Sequence, residues 1–252
     1  MCMTRILILK TGTTFPEIAR NLGDFDILFK RAMQIDGVSF VVSDVSNGEP
    51  LPDFADGDGV VVTGSPAMVT DRADWSEATA AWLAEWVSWG RPALGVCYGH
   101  QLLAHALGGK VGGHADGREM GTLDVTLTDR AADDPLFGGL PASFPAHLTH
   151  RQSVIALPDG ATLLARSESE PHQAFRVGTT AWGLQFHPEF SEQVMAAYID
   201  RQRMDLLAEG RNPDMMREQL KPTRDATSLL QRFVQGVKYG FPLVSSEQML
   251  KG

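Results

Sequence analysis

The segment Gly95-Val96-Cys97-Tyr98-Gly99-His100-Gln101 holds the densest chemistry in the chain. An apolar run, Pro92–Val96, leads into it. A helical pattern, Gln101–Leu107, leads out and is closed by Gly108-Gly109. A strand that turns abruptly into a helix holds its central residue in strained backbone, and Gly95 and Gly99 give room for that bend. The central side chain then projects at the carboxyl end of a sheet, where open α/β folds bind ligands. Here that residue is Cys97. Free N–H groups and the positive end of the following helix favour its thiolate, the reactive form. An isolated cysteine is most often a buried structural residue. The strand–Gly-x-Cys-x-Gly–helix setting points to a nucleophile instead.

A thiol nucleophile needs a base and proton shuttle. The chain has seven histidines. His100 is near Cys97 in sequence, but three residues along the helix it should follow the helix surface as scaffold. His187 ends the apolar run Trp182–Phe186, precedes Pro188, and has Glu189 two residues on. Residues i and i+2 of extended chain point the same way. Glu189 can therefore accept from one imidazole nitrogen while the other faces the thiol, as the acid does in hydrolase triads. Acyl transfer also needs donors for a developing oxyanion. The amide of Tyr98 is one, and the turn Thr63-Gly64-Ser65-Pro66 can supply another. Alone, His-Pro-Glu and Gly-Ser-Pro each read as ordinary turns. The combination with the cysteine bend is what carries the reading.

Arg5–Lys10, Val38–Ser43, Gly59–Thr63 and Pro92–Val96 read as short buried strands. Helical spacing appears near Phe25–Met33 and over Trp75–Trp89, where Trp75, Trp82, Trp86 and Trp89 form a stripe. Trp75 is close enough to the Gly-Ser-Pro turn to line a pocket there. Strands alternating with helices predict a doubly wound, mostly parallel α/β sheet. Val111–Leu127 and Ala161–Thr180 look like shorter alternating strands, a mixed or antiparallel extension of that sheet. After Ser191 the pattern is helical: Glu192–Glu209 as one helix, then Pro213–Leu220 and Asp225–Val237.

A chain of 252 residues suffices for one large α/β domain. Its net charge of −9 repels phosphate backbones and anionic lipid, so neither nucleic acid nor membrane is expected as a partner. No signal peptide is read at the start, and no apolar run reaches the roughly 18 residues of a bilayer span. The two cysteines, Cys2 and Cys97, argue against disulfides and cysteine metal sites, and a reducing, cytoplasmic setting is expected. A thiolate and an imidazole suffice for the chemistry, so no metal or cofactor is called for.

Together the motifs Gly64-Ser65-Pro66, Gly95–Gln101, Gly108-Gly109-Lys110-Val111 and Gln185-Phe186-His187-Pro188-Glu189-Phe190 resemble class I glutamine amidotransferases, such as the glutaminase domains of GMP synthase and carbamoyl-phosphate synthetase. The resemblance spans most of residues 1–190. It implies a flavodoxin-like glutaminase domain over 1–190, with 191–252 a helical extension packed on it. It implies that Cys97 attacks the side-chain amide of glutamine, that His187 protonates departing ammonia, and that a glutamyl thioester is then hydrolysed. It further implies oxyanion donors at Ser65 and Tyr98, and substrate contacts at Gly64, Gln101 and the backbone of Thr149, His150 and Arg151. Arg118-Glu119-Met120-Gly121 is similar to the Arg-Glu-Tyr-Gly of GMP synthases. Ser65 stands where many members have Gly, so its backbone is expected to be harder to accommodate. Nothing after residue 190 resembles a synthetase. Three readings remain open: a free glutaminase handing ammonia to a synthetase partner, a self-sufficient hydrolase of γ-glutamyl peptides or amines, and a non-enzymatic regulator. The helical tail could cap the sheet, form a homodimer contact or dock a partner.

Overall fold

The computed structural model describes residues 3–242, so Cys2 and the last ten residues of the tail lie outside the described residues. In chain order the strands and helices are β1 (Thr4–Lys10), α1 (Pro16–Leu22), α2 (Phe25–Met33), β2 (Val38–Asp44), β3 (Gly59–Val62), α3 (Asp74–Ser88), β4 (Ala93–Val96) and α4 (Tyr98–Ala106). Then come β5 (Lys110–Gly113), β6 (Glu119–Leu127), β7 (Ser143–His150), β8 (Gln152–Ala156), β9 (Thr162–Arg166), β10 (Ala174–Val177) and β11 (Ala181–Leu184). The helices α5 (Glu192–Arg201), α6 (Arg203–Ala208), α7 (Pro213–Glu218) and α8 (Arg224–Tyr239) close the described chain.

The main sheet runs β2-β1-β3-β4-β11-β10-β9-β6-β7. Its first five strands are parallel, and β10, β9, β6 and β7 pair antiparallel. The parallel strands read as unbroken apolar runs because both faces are covered. Ile6 and Ile8 of β1 face a core shared with Phe29 of α2 and Phe233 of α8, while Leu7 and Leu9 face Leu83 and Trp86 of α3 and Leu102 of α4. One strand thus feeds two layers by the period-two alternation of its side chains.

Strand order reverses between β1 and β3, and the loops leaving their carboxyl ends open a crevice there. Thr11, just after β1, ties the two loops together: its amide donates to Thr63 Oγ1 at 3.1 Å, and its hydroxyl donates to the Thr63 carbonyl at 2.9 Å. This fixes the Gly64-Ser65-Pro66 turn at the sheet edge that the end of β4 also occupies.

The observed elements differ from the expected ones at two points. Residues 148–150, which the sequence pattern did not mark as a strand, are the end of β7, and β8 follows after Arg151 to pair with β5. Pro145 weakens the strand signal of β7, and the sheet tolerates it because β7 is an edge strand. The helix over 192–209 is two, α5 and α6, divided at Gln202, whose side chain accepts from Arg118 at 2.8 Å. No proline or glycine marks that division; it falls where a tertiary contact is made. The tail helices pack back onto the body, α8 against α2, β1 and β7, and α7 against β6. Among the described residues no helix is long and apolar enough to cross a membrane.

Candidate active site

Cys97 sits between β4 and α4 with φ 52° and ψ −101°; among the described residues only it and Arg72 are non-glycine residues with positive φ. Such backbone costs about 1–3 kcal/mol and persists only where its surroundings hold it. They do so through two glycines. A Cβ on Gly95 would lie 2.5 Å from the Gly99 carbonyl carbon and 2.8 Å from the His100 amide nitrogen; one on Gly99 would lie 2.9 Å from the Val62 carbonyl carbon. The bend is closed so tightly that neither position has room for a side chain. The Gly99 amide donates to the Thr63 carbonyl at 3.1 Å, which binds the Gly64-Ser65-Pro66 turn to the bend. Helix α4 begins at Tyr98, earlier than the sequence pattern suggested, so the amides of its first turn lie directly after the sulfur.

Cys97 is nearly buried, and its thiol donates to the Thr149 carbonyl at 3.8 Å. His187 and Glu189 reach the same place from the end of β11. His187 Nδ1 is 2.8 Å from Glu189 Oε1, and the ring stacks on Phe190 with centroids 4.2 Å apart. Nε2 has no conventional hydrogen-bond partner and is the ring atom left for the sulfur. Burial opposes charge on this imidazole, but Glu189 and Cys97 outweigh it and lift its pKa to about 10. The site therefore favours an imidazolium beside the sulfur. His147, whose carbonyl accepts from the His187 amide, is held neutral: burial and the His187 charge push it down to about 4.

A cavity of about 440 Å³ opens over the thiol, within the range of small-molecule sites of roughly 300–1000 Å³. Ser65, Tyr98, Gln101, Thr149, His150 and Arg151 all line it together with Cys97 and His187. Gly64 stands behind the wall: a Cβ there would be 3.1 Å from His187 Cε1, so the glycine lets the ring close up to the turn. Ser65 needs no glycine-like backbone. It is not among the positive-φ residues, and a residue before proline prefers extended backbone anyway. Trp75 does not line the cavity; it stacks behind it on Tyr98, centroids 5.6 Å apart. Nor does His100 lie on the helix surface. It is fully buried against Phe175 and over Gly183, where burial pushes its pKa down to about 3.

The tail supplies walls that the sequence did not announce. Tyr198 of α5 and Gln202 face the cavity, and the Tyr198 hydroxyl bonds Thr14 at 2.5 Å across 184 residues of chain. Arg118 also lines it. Its buried guanidinium donates to Gln202 at 2.8 Å and lies 3.2 Å from Glu209. The similarity of residues 118–121 to an Arg-Glu-Tyr-Gly stretch was the one signal available for Arg118; none existed for Thr14 or Tyr198. Among the described residues no group of three or more His, Cys, Asp or Glu side chains is arranged to hold a metal.

The family model for glutamine amidotransferase class-I matches residues 27–205, which takes in the bend, the His-Pro-Glu turn and the two cavity-lining tail residues. The chain belongs to the glutamine amidotransferase class-I family. As a member, it is 42% identical to a glutamine-hydrolyzing GMP synthase from Thermomicrobium roseum over 144 residues, 57% of this chain and 25% of that one. The chain thus spans about a quarter of the length of that relative. It is 30% identical to Gamma-glutamyl peptidase 5 of Arabidopsis thaliana over 201 residues, 78% of this chain and 79% of the peptidase. Its fold is that of a solved glutamine amidotransferase from Thermotoga maritima, with a TM-score of 0.76 at 22% identity, covering 94% of this chain and 99% of the other.

Proposed function

We propose that this amidotransferase-family chain hydrolyses the γ-amide of glutamine or a related γ-glutamyl compound through a thioester on Cys97. The observation that carries this reading is the strained Cys97 beside a His187 whose other nitrogen is held by Glu189, at the floor of a ligand-sized cavity. The Cys97 sulfur adds to the amide carbon. The oxyanion is taken by the amides of Tyr98 and Ser65, donors of a kind worth about 10²–10³ in rate each. The C–N bond breaks as His187 Nε2 gives its proton to the leaving nitrogen. Water, deprotonated by the same nitrogen, then cleaves the thioester to glutamate and regenerates the thiol. Glu189 holds the imidazole in orientation. Gln101 and the backbone of Thr149–Arg151 hold the glutamyl portion, and Gly64 allows His187 its approach.

With glutamine as substrate the leaving group is ammonia, and residues 1–190 would act as a glutaminase for a synthetase subunit in the cytoplasm. A second reading has a specific observation behind it. The peptidase relative matches over 78% of this chain and 79% of its own length. Tyr198 and Gln202 of the tail also close part of the cavity wall. Both favour a self-contained hydrolase of γ-glutamyl peptides, with the same chemistry at the carbonyl and an amino acid or amine as leaving group. The test is release of ammonia from glutamine, and of the free amine from a panel of γ-glutamyl dipeptides, by the purified chain and by Cys97→Ala. Faster turnover of the dipeptides selects the second reading, and faster turnover of glutamine the first. Turnover undiminished in Cys97→Ala overturns both.

A further inference from the structure

Glu119, in the Arg118–Gly121 stretch, takes no part in the chemistry above, yet it is one of the most heavily bonded side chains in the fold. Only 3% exposed, its carboxylate is filled on both oxygens. Oε1 accepts from Ser167 at 3.0 Å and Ser169 at 2.5 Å; Oε2 accepts from His150 Nε2 at 2.7 Å and Gln173 Nε2 at 2.9 Å. Burial alone would raise its pKa, but His150 and the two serines hold it below the usual carboxylate range. Glu119 is directly opposite His150 in the β6–β7 register, so the backbone pairing itself aligns the two.

The other ring nitrogen of His150, Nδ1, is 2.9 Å from the Gln152 carbonyl, which can only accept. Both nitrogens of His150 face acceptors, so the ring is gripped from both sides. The same Gln152 carbonyl takes a second bond, at 2.8 Å, from Gln101 Nε2. The remaining hydrogen of that amide goes to Gln185 Oε1 at 3.0 Å. Turning the Gln101 amide over would set its oxygen against the Gln152 carbonyl, acceptor against acceptor, so the orientation is fixed. With both N–H groups used, Gln101, a wall of the cavity, has only Oε1 to offer a ligand.

We propose that Glu119 is a positioning residue for the reaction at Cys97: acting through His150 and the Gln152 carbonyl, it locks the Gln101 amide so that Oε1 faces the substrate. The substrate group bound there is an N–H donor, such as the α-ammonium of a γ-glutamyl compound; this last clause rests on the proposed function. The titratable groups packed around His150 are few. Glu119 lies on β6. The His114 ring stands edge-on at 5.5 Å with Glu170 4.0 Å behind it, and the neutral His100 lies on α4. Among the described residues Glu119 is the one carboxylate bonded to the ring.

Two measurements on the full chain test this. Imidazole nitrogen NMR of the wild-type protein should show both His150 nitrogens in hydrogen bonds, and Glu119→Gln should break the bond at Nε2. A His150 Nε2 free of a hydrogen bond in the wild type overturns the proposal whether or not the chain turns over any substrate. The second is kinetic, on whichever γ-glutamyl compound the wild type hydrolyses. Glu119→Gln should raise KM about tenfold, the effect of one charge-assisted hydrogen bond, with kcat within about threefold. Glu119→Asp should recover part of the loss. Combined with Gln101→Met, Glu119→Gln should add little further KM effect, because the two act on one contact. A folded Glu119→Gln with wild-type KM, or effects that simply multiply with Gln101→Met, would overturn it. Absence of any Cys97-dependent turnover would instead refute the hydrolase reading, leaving the NMR result to decide the positioning role.

Discussion

Gly95→Ala is the sharpest perturbation the fold offers, because it touches no reacting group. A Cβ at residue 95 would sit 2.5 Å from the Gly99 carbonyl carbon and 2.8 Å from the His100 nitrogen, where ordinary contact begins at 3.4 Å. These are backbone atoms of the first turn of α4, so no side chain can swing aside. Relief requires β4 and α4 to separate by close to an ångström, which relaxes the strained Cys97 and moves its sulfur against His187 and the cavity. Overpacking of this kind costs about 1–3 kcal/mol of stability. A misplacement of about 1 Å at a catalytic group costs about 10²-fold in rate. The assay is kcat/KM on a γ-glutamyl amide alongside the urea midpoint and the rate of Cys97 alkylation. The expected result is a folded, modestly destabilised protein with kcat/KM down about 10²-fold and altered thiol reactivity. A folded Gly95→Ala with wild-type kcat/KM would refute the claim that the glycine-bounded bend sets the geometry of the thiol.

Other expectations follow from the same site. Since His187 stands at about 10, kcat/KM should keep its alkaline limb until about pH 10, and Glu189→Gln should move that limb down; a pH–rate profile reads both. The same raised pKa contributes stability that is complete below the usual 6.5 and lost as pH rises through about 10, so urea midpoints should fall over that window and fall less in Glu189→Gln. His100 and His147 have the opposite sign. Their folded pKa values of about 3 and about 4 mean the unfolded chain takes up protons that the fold refuses, so stability should drop as pH falls below 6.5. Replacing His100 by Gln should flatten that acid limb in pH-dependent urea melts. Glu189→Ala should retain a trace of activity, down about 10⁴-fold, while Cys97→Ala and His187→Ala retain none attributable to a thioester. Tyr198→Phe loses the bond to Thr14 and should cost about 1 kcal/mol by chemical denaturation.

Much of this arrangement was legible in the sequence because it is local. The strand, the bend and the helix around Cys97 occupy fourteen consecutive residues from Ala93 to Ala106, and α2 begins at Phe25 and ends at Met33 as its spacing predicts. His187 and Glu189 sit two apart, so a single extended turn suffices to pair them. What stayed hidden depends on contacts between distant segments. The β7 strand carries Pro145 and interleaves His and Thr with its apolar positions, which blurs the alternation that an edge strand still satisfies. The division of α5 from α6 follows Arg118, a residue 84 positions away. The Thr14–Tyr198 contact closes the cavity from both ends of the chain, and no local pattern encodes it. Gln101 was readable as a cavity residue from its motif, but the direction of its amide is set by Gln152 and Gln185, which only the fold brings to it.

The proposed hydrolysis passes through a covalent intermediate at one sulfur. The direct measurement is peptide mass spectrometry of the protein quenched in acid during turnover of a γ-glutamyl substrate, with Cys97→Ala treated alongside. A glutamyl adduct is expected on the peptide containing Cys97, absent from the variant and from protein quenched before substrate is added. Turnover with the adduct on another residue, or undiminished turnover in Cys97→Ala, would contradict it.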